Sequence, residues 1–118
     1  MPARQLEAHV RHRPGAAVID LHGEINAFAE DSMKAAYVEA ERDNPAVILL
    51  NFSGVDYINS TGIALIVSLL ARARATHRRL IVCGLSEHYV EIFQITRLAD
   101  YMTVFPNEES ALADAPVA

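Results

Sequence analysis

Two adjacent hydroxyls, Ser60 and Thr61, are the side chains best placed for chemistry in this sequence. They lie in Tyr57-Ile58-Asn59-Ser60-Thr61-Gly62-Ile63. A short apolar run, Val47-Ile48-Leu49-Leu50, precedes that segment and reads as a strand, while an apolar helical pattern opens at Ile63. The hydroxyls therefore fall at a strand-to-helix turn, where the first backbone N–H groups of the helix lack partners inside it. A phosphate there would meet free donors and the positive end of the helix dipole. Asn, Ser and Thr are also ordinary N-cap residues. Capping alone and a site that favours a phosphate are both open readings of the turn.

Other chemistries fail on spacing. A serine hydrolase elbow needs glycine two residues before and two after the nucleophile. Gly62 supplies the second, but Ile58 stands where the first would be. His9 and His12 sit three apart on an expected strand and point to opposite faces, and His22, His77 and His88 are scattered, so no metal set forms. All five read as solvated. Phosphate-binding glycine loops and spaced dinucleotide glycines are absent. No cofactor and no metal are expected.

The elements that must position Ser60 follow from periodicity and punctuation. Leu6 to Arg13, Pro14-Gly15 and Ala17 to His22 read as a hairpin ending at Gly23. A helix follows from about Glu30 to Asp43, with Met33, Ala36, Tyr37 and Ala40 on one face, stopped by Asn44-Pro45. The strand Val47–Leu50 is apolar on both faces, as in a sheet covered by helices on one side and packed laterally. A second helix spans about Ser60 to Thr76, followed by a strand at Leu80–Cys83. Ser86 caps a third helix running to about Thr96, with Tyr89, Val90, Ile92 and Phe93 as its apolar set. Met102–Phe105 is a last strand, and Glu108-Glu109 open a final short helix. The order β-β-α-β-α-β-α-β-α predicts an α/β fold, with a mixed, mostly parallel sheet of about five strands covered by about four helices.

In the second helix, Ile63, Ile66, Val67 and Leu70 form the expected buried stripe. Leu65 and Leu69 fall outside it, beside Ala64, Ser68 and Arg72. This apolar excess is either a broadly buried central helix or, next to an accessible hydroxyl, a partner surface.

Length fits one domain spanning residues 1–118, ordered over about 4–114, with Ala115 to Ala118 frayed. A net charge of −5 argues against nucleic acid as a partner. The cluster Arg72, Arg74, His77, Arg78 and Arg79 reads as a solvated helix C-terminus. No apolar run is long enough for a membrane span. The lone Cys83 lies in an apolar strand, which excludes an internal disulfide and fits a reducing cytoplasm.

Gly23-Glu24-Ile25-Asn26 after a strand, and Asn59-Ser60-Thr61-Gly62 opening an apolar helix, resemble the STAS domain family, in particular anti-sigma factor antagonists. The resemblance extends from about Leu6 to Leu112 and includes Val90-Glu91-Ile92-Phe93, Arg97-Leu98 and the ending Phe105 to Leu112. It implies a non-enzymatic, phosphate-switched binding module. By resemblance, Ser60 is the phosphorylated residue (Thr61 the alternative), modified by an anti-sigma factor that is also a serine kinase and restored by a PP2C-type phosphatase. The unmodified form binds the anti-sigma factor and releases a sigma factor. The implied partner surface comprises Asn26, Asn59, Ser60, Thr61, Gly62, Ala64, Leu65 and Ser68.

Two positions depart from the family pattern. Asn59 and Asn26 stand where aspartates are usual, which keeps the caps but removes two carboxylates near Ser60. The alternative implied by the same family is a constitutive scaffold or accessory subunit, as in stressosomes, lipid-transport complexes or anion-transporter tails, without a phosphorylation cycle.

Overall fold

The computed structural model describes residues 5–114. Its elements are β1 (Glu7–Arg13), β2 (Ala16–Ile25), α1 (Glu30–Ala40), β3 (Val47–Ile58), α2 (Ser60–Ala75), β4 (Arg79–Cys83), α3 (Glu87–Ile95), β5 (Val104–Phe105) and α4 (Glu108–Asp114). This is the predicted order. The five strands lie in sequence order across one sheet, β1 antiparallel to β2 and every later pair parallel. Each crossover steps one strand in the same direction, so right-handed connections place α1, α2 and α3 on one face.

Strand alternation builds two cores. Ala17, Ile19 and Leu21 of β2, Ile48, Leu50 and Phe52 of β3, and Leu80 and Val82 of β4 meet the buried faces of α1 to α3. Val18, Val47, Leu49, Ile81 and Cys83 point to the opposite face, where Ala111 of α4 closes a smaller core. The apolar run Val47–Leu50 is therefore covered on both sides, rather than on one. Burial there pushes the Cys83 thiol up to about 11, as befits a packing residue. Beside it runs a polar seam. Asp20 accepts from Arg11 at 2.6 and 3.0 Å and from Asn51 at 2.9 Å, and Arg11 also pairs with Glu108. The hydrogen bonds from Arg11 hold the Asp20 and Glu108 carboxyls below their ordinary values.

Several boundaries differ from expectation. β3 runs on to Ile58, well beyond Leu50, because β2 continues past Gly23 and pairs with it to Ile25↔Ile58. β2 slips register on either side of His22 and Gly23, and Gly23 takes φ 107°, a backbone that a side chain would strain. β4 pairs only as far as Asn51↔Cys83, so the far ends of β2 and β3 project as a two-stranded ribbon toward the helix starts. α1 ends at Ala40, ahead of Asp43, and Asn44 adopts φ 51°. Its predicted core face (Met33, Ala36, Tyr37, Ala40) is buried. β5 is shorter than Met102–Phe105, and Met102 packs in the larger core instead. The expectation for Ala115 to Ala118 concerns residues outside those described.

The stripe of α2 is rotated from the expected one. Gly62, Ile66, Leu69, Leu70 and Ala73 are buried, Ile63 is half-buried, and Val67 is 44% exposed. Leu69 thus belongs to the core and Val67 to the surface. The small residues Gly62 and Ala73 complete the stripe, which is why hydropathy alone misplaces it.

Candidate functional site

The parallel register Ile25↔Ile58 sets two strand ends side by side, and each is followed by an asparagine that caps the next turn. Asn26 Oδ1 accepts from Phe28 N at 2.9 Å, opening a 3₁₀ turn at Ala27–Ala29. Asn59 Oδ1 accepts from Gly62 N at 2.8 Å, opening α2. The Asn59 N–H donates to the Ile25 carbonyl at 3.2 Å, tying the two ends together. A Cβ on Gly62 would fall far inside contact distance of that same carbonyl oxygen. Glycine is required there because the helix start lies directly against the end of β2.

These constraints aim the predicted residues differently. Ser60 and Thr61 are exposed, and neither hydroxyl makes a hydrogen bond within the described residues. Ala64 and Ser68 are exposed and Leu65 is half-buried, so they continue one surface along α2. Asn26 and Asn59 are half-buried, with their side-chain oxygens occupied as caps. Gly62 is buried, so it shapes this surface without lining it.

Two aromatics join the region that sequence reasoning did not single out for binding. Phe28, on the turn that Asn26 caps, is 86% exposed, and Tyr57, one residue before the end of β3, is 52% exposed. The alternation that buries Ile58 turns Tyr57 outward. For Phe28 the available signal was a large apolar residue two positions after a capping Asn, outside the stripe of α1.

Electrostatically, α2 stands apart. The first turns of α1, α3 and α4 each carry acidic residues (Glu30 and Asp31, Glu87, Glu108 and Glu109), whereas that of α2 carries none. Its dipole is left uncompensated at the exposed hydroxyls. Of the basic cluster at its other end, Arg72, Arg78 and Arg79 are paired, while Arg74 and His77 are exposed. Arg72 donates to Glu41 at 2.6 and 3.1 Å, Arg78 to Asn44 Oδ1 at 2.9 Å and Pro45 O at 2.8 Å, and Arg79 to Asp114 at 3.1 Å. All five histidines are exposed, and His12 Nε2 lies 3.0 Å from Glu39. Among the described residues, no group of three His, Cys, Asp or Glu side chains could hold a metal, and no helix is long and apolar enough to cross a membrane.

A strand–Asn–Ser–Thr–Gly–helix site on this sheet order coincides with a match to the STAS domain model over residues 7–111. The chain belongs to the STAS domain family. Its relatives include an anti-sigma-B factor antagonist of Staphylococcus aureus (strain NCTC 8325 / PS 47), 27% identical over 86 residues that cover 73% of this chain and 80% of the relative. Solved STAS folds superpose well. An anti-sigma factor antagonist from Mycobacterium paratuberculosis aligns with TM-score 0.79 at 17% identity, covering 92% of each chain. The Bacillus cell fate determinant SpoIIAA in its phosphorylated form aligns with TM-score 0.70 at 23% identity, covering 91% of this chain and 97% of that one.

Proposed function

We propose that this STAS domain is a protein-binding module of the anti-sigma factor antagonist type, acting in the cytoplasm without catalysis and switched by phosphorylation of Ser60. Unmodified, the α2 surface of Ser60, Thr61, Ala64, Leu65 and Ser68, flanked by the caps Asn26 and Asn59, docks on an anti-sigma factor that is also a serine kinase. That docking frees a sigma factor. Phosphorylation at Ser60 expels the partner, and a PP2C-type phosphatase resets the module.

The observation that carries this reading is the exposed Ser60 hydroxyl, which among the described residues makes no hydrogen bond and stands at the one α-helix start without an acidic residue in its first turn. A phosphate there adds about −1.5 to −2 charges at pH 7. Toward its own helix this charge is favourable, so the free domain tolerates it. Against a dry partner surface it is costly to desolvate. Moving a complex from about 99% to about 1% bound needs roughly 5.5 kcal/mol of differential binding, which a dianion at the interface centre can supply.

The two asparagines favour a second reading, a constitutive scaffold or accessory subunit. Both cap their turns without a charge, so the fold does not depend on the carboxylates they replace. Wild type, Ser60→Ala and Ser60→Asp as parallel baits in host lysate, with bound proteins identified by mass spectrometry, separate the two. A kinase-type protein retained by wild type and Ser60→Ala but lost with Ser60→Asp supports the switch. A partner held equally by all three supports the scaffold.

A further inference from the structure

β1 is an outer strand of the sheet. One side pairs with β2 over Glu7–Arg13, and the other faces no strand among the described residues. Such an edge is a template for another strand unless its side chains forbid it. The sequence Glu7-Ala8-His9-Val10-Arg11-His12-Arg13 discriminates among possible partners by charge. We propose that two copies of this chain associate through β1, antiparallel and centred on Val10, joining their sheets into one.

In that register Glu7 faces Arg13 of the second copy, and by symmetry Arg13 faces Glu7. Directly opposed residues of opposite charge stabilise an antiparallel pair, and like charges destabilise it. Ala8 faces His12 and Val10 faces Val10. His9 faces Arg11, which is held by both Asp20 and Glu108 of its own copy, whereas the half-exposed Arg13 touches Glu108 through one nitrogen at 3.3 Å. An axis moved to Arg11 would set that residue against itself and leave Glu7 without a partner, so charge selects against that register.

The helix above the edge is shaped for the same arrangement. Ser32, Ala35 and Ala36 of α1 stand over Leu6, Ala8 and Val10 across an open groove of about 620 Å³. A two-fold axis at Val10 brings the two α1 helices side by side. Packed helices approach to roughly 8–10 Å, and small side chains such as Ser32 and Ala35 permit the close end of that range. The edge shares no residue with the surface around Ser60, so the inference stands apart from the proposed function.

Sedimentation of the full chain between about 1 and about 300 µM tests it, a range suited to a modest interface. Wild type should move from monomer toward dimer. Glu7→Arg and Arg13→Glu should each weaken the dimer by about tenfold or more, since two attractive pairs become repulsive. An equimolar mixture of the two variants restores both opposite-charge pairs and should regain wild-type association, as should the double variant. Thermal melts followed by circular dichroism confirm that each variant is folded, and Glu7→Arg avoids disturbing the Arg13–Glu108 contact. Wild type monomeric throughout, single variants associating like wild type, or a mixture that fails to recover would each overturn the proposal.

Discussion

At its C-terminal end, α2 is held by side-chain contacts to the end of α1 and to the turn that follows it, whereas at its N-terminal end it is held by one cap and a glycine contact. Arg72 spans to Glu41 and lies over the Tyr37 ring at 5.6 Å, Thr76 Oγ1 donates back to the Arg72 carbonyl at 2.9 Å, and Arg78 clasps the Asn44-Pro45 turn. The N-terminal end has Asn59 on Gly62 and Gly62 on Ile25, with Ser60 and Thr61 open to solvent. The helix is thus positioned from behind and beneath, which leaves the hydroxyls of its front turn open to solvent. That division suits the proposed change of charge at Ser60, which would leave the fold undisturbed.

Each end can be broken separately. The largest effect is expected from Gly62→Ala, where a Cβ meets the Ile25 carbonyl. Overpacking against backbone should outweigh the gain in helix propensity and cost about 2 kcal/mol or more in urea denaturation. Arg78→Ala comes next, because its side chain is only 12% exposed and its removal strands the Pro45 carbonyl. A loss of about 1–2 kcal/mol is expected in the same assay. Asn59→Ala should cost about 1 kcal/mol through the lost cap, whereas Asn59→Asp should keep the cap and match or slightly exceed wild-type stability at pH 7. The smallest change belongs to Ser60→Asp, whose melting should shift by less than about 0.5 kcal/mol while binding of the lysate partner is lost. If Ser60→Asp destabilised the fold as much as Gly62→Ala, the front turn would be structural and the contrast between the two ends would fail.

The strand–turn–helix around Ser60 was legible because a strongly apolar strand, a capping triplet and a helical stripe all point to the same local answer. The length of β3 was not. Ser53, Gly54 and Asp56 are residue types usual in loops, yet they extend because β2 continues alongside them beyond Asn51, the last residue of β3 that pairs with β4. A strand paired on one side only, with just Phe52 and Ile58 buried along it, leaves little hydrophobic pattern to read. The pairing of Arg72 and Arg78 in the cluster at the end of α2 was missed for a related reason. The carboxylate that answers Arg72 lies 31 residues away, at Glu41, and the partners of Arg78 lie in the neighbouring turn, at contacts that only the tertiary fold creates.

The second face of the sheet is covered by α4, the final described helix, while the first face acquires its helices one crossover at a time as the chain lengthens. A nascent chain that has laid down β4 but not α4 therefore presents Val18, Leu49, Ile81 and the Cys83 sulfur bare. Once α4 settles, the thiol is shut away from solvent and its thiolate becomes scarce. Cys83 is in effect a timestamp: a thiol reagent applied during synthesis or refolding would mark molecules whose final helix has not yet docked and pass over those in which it has.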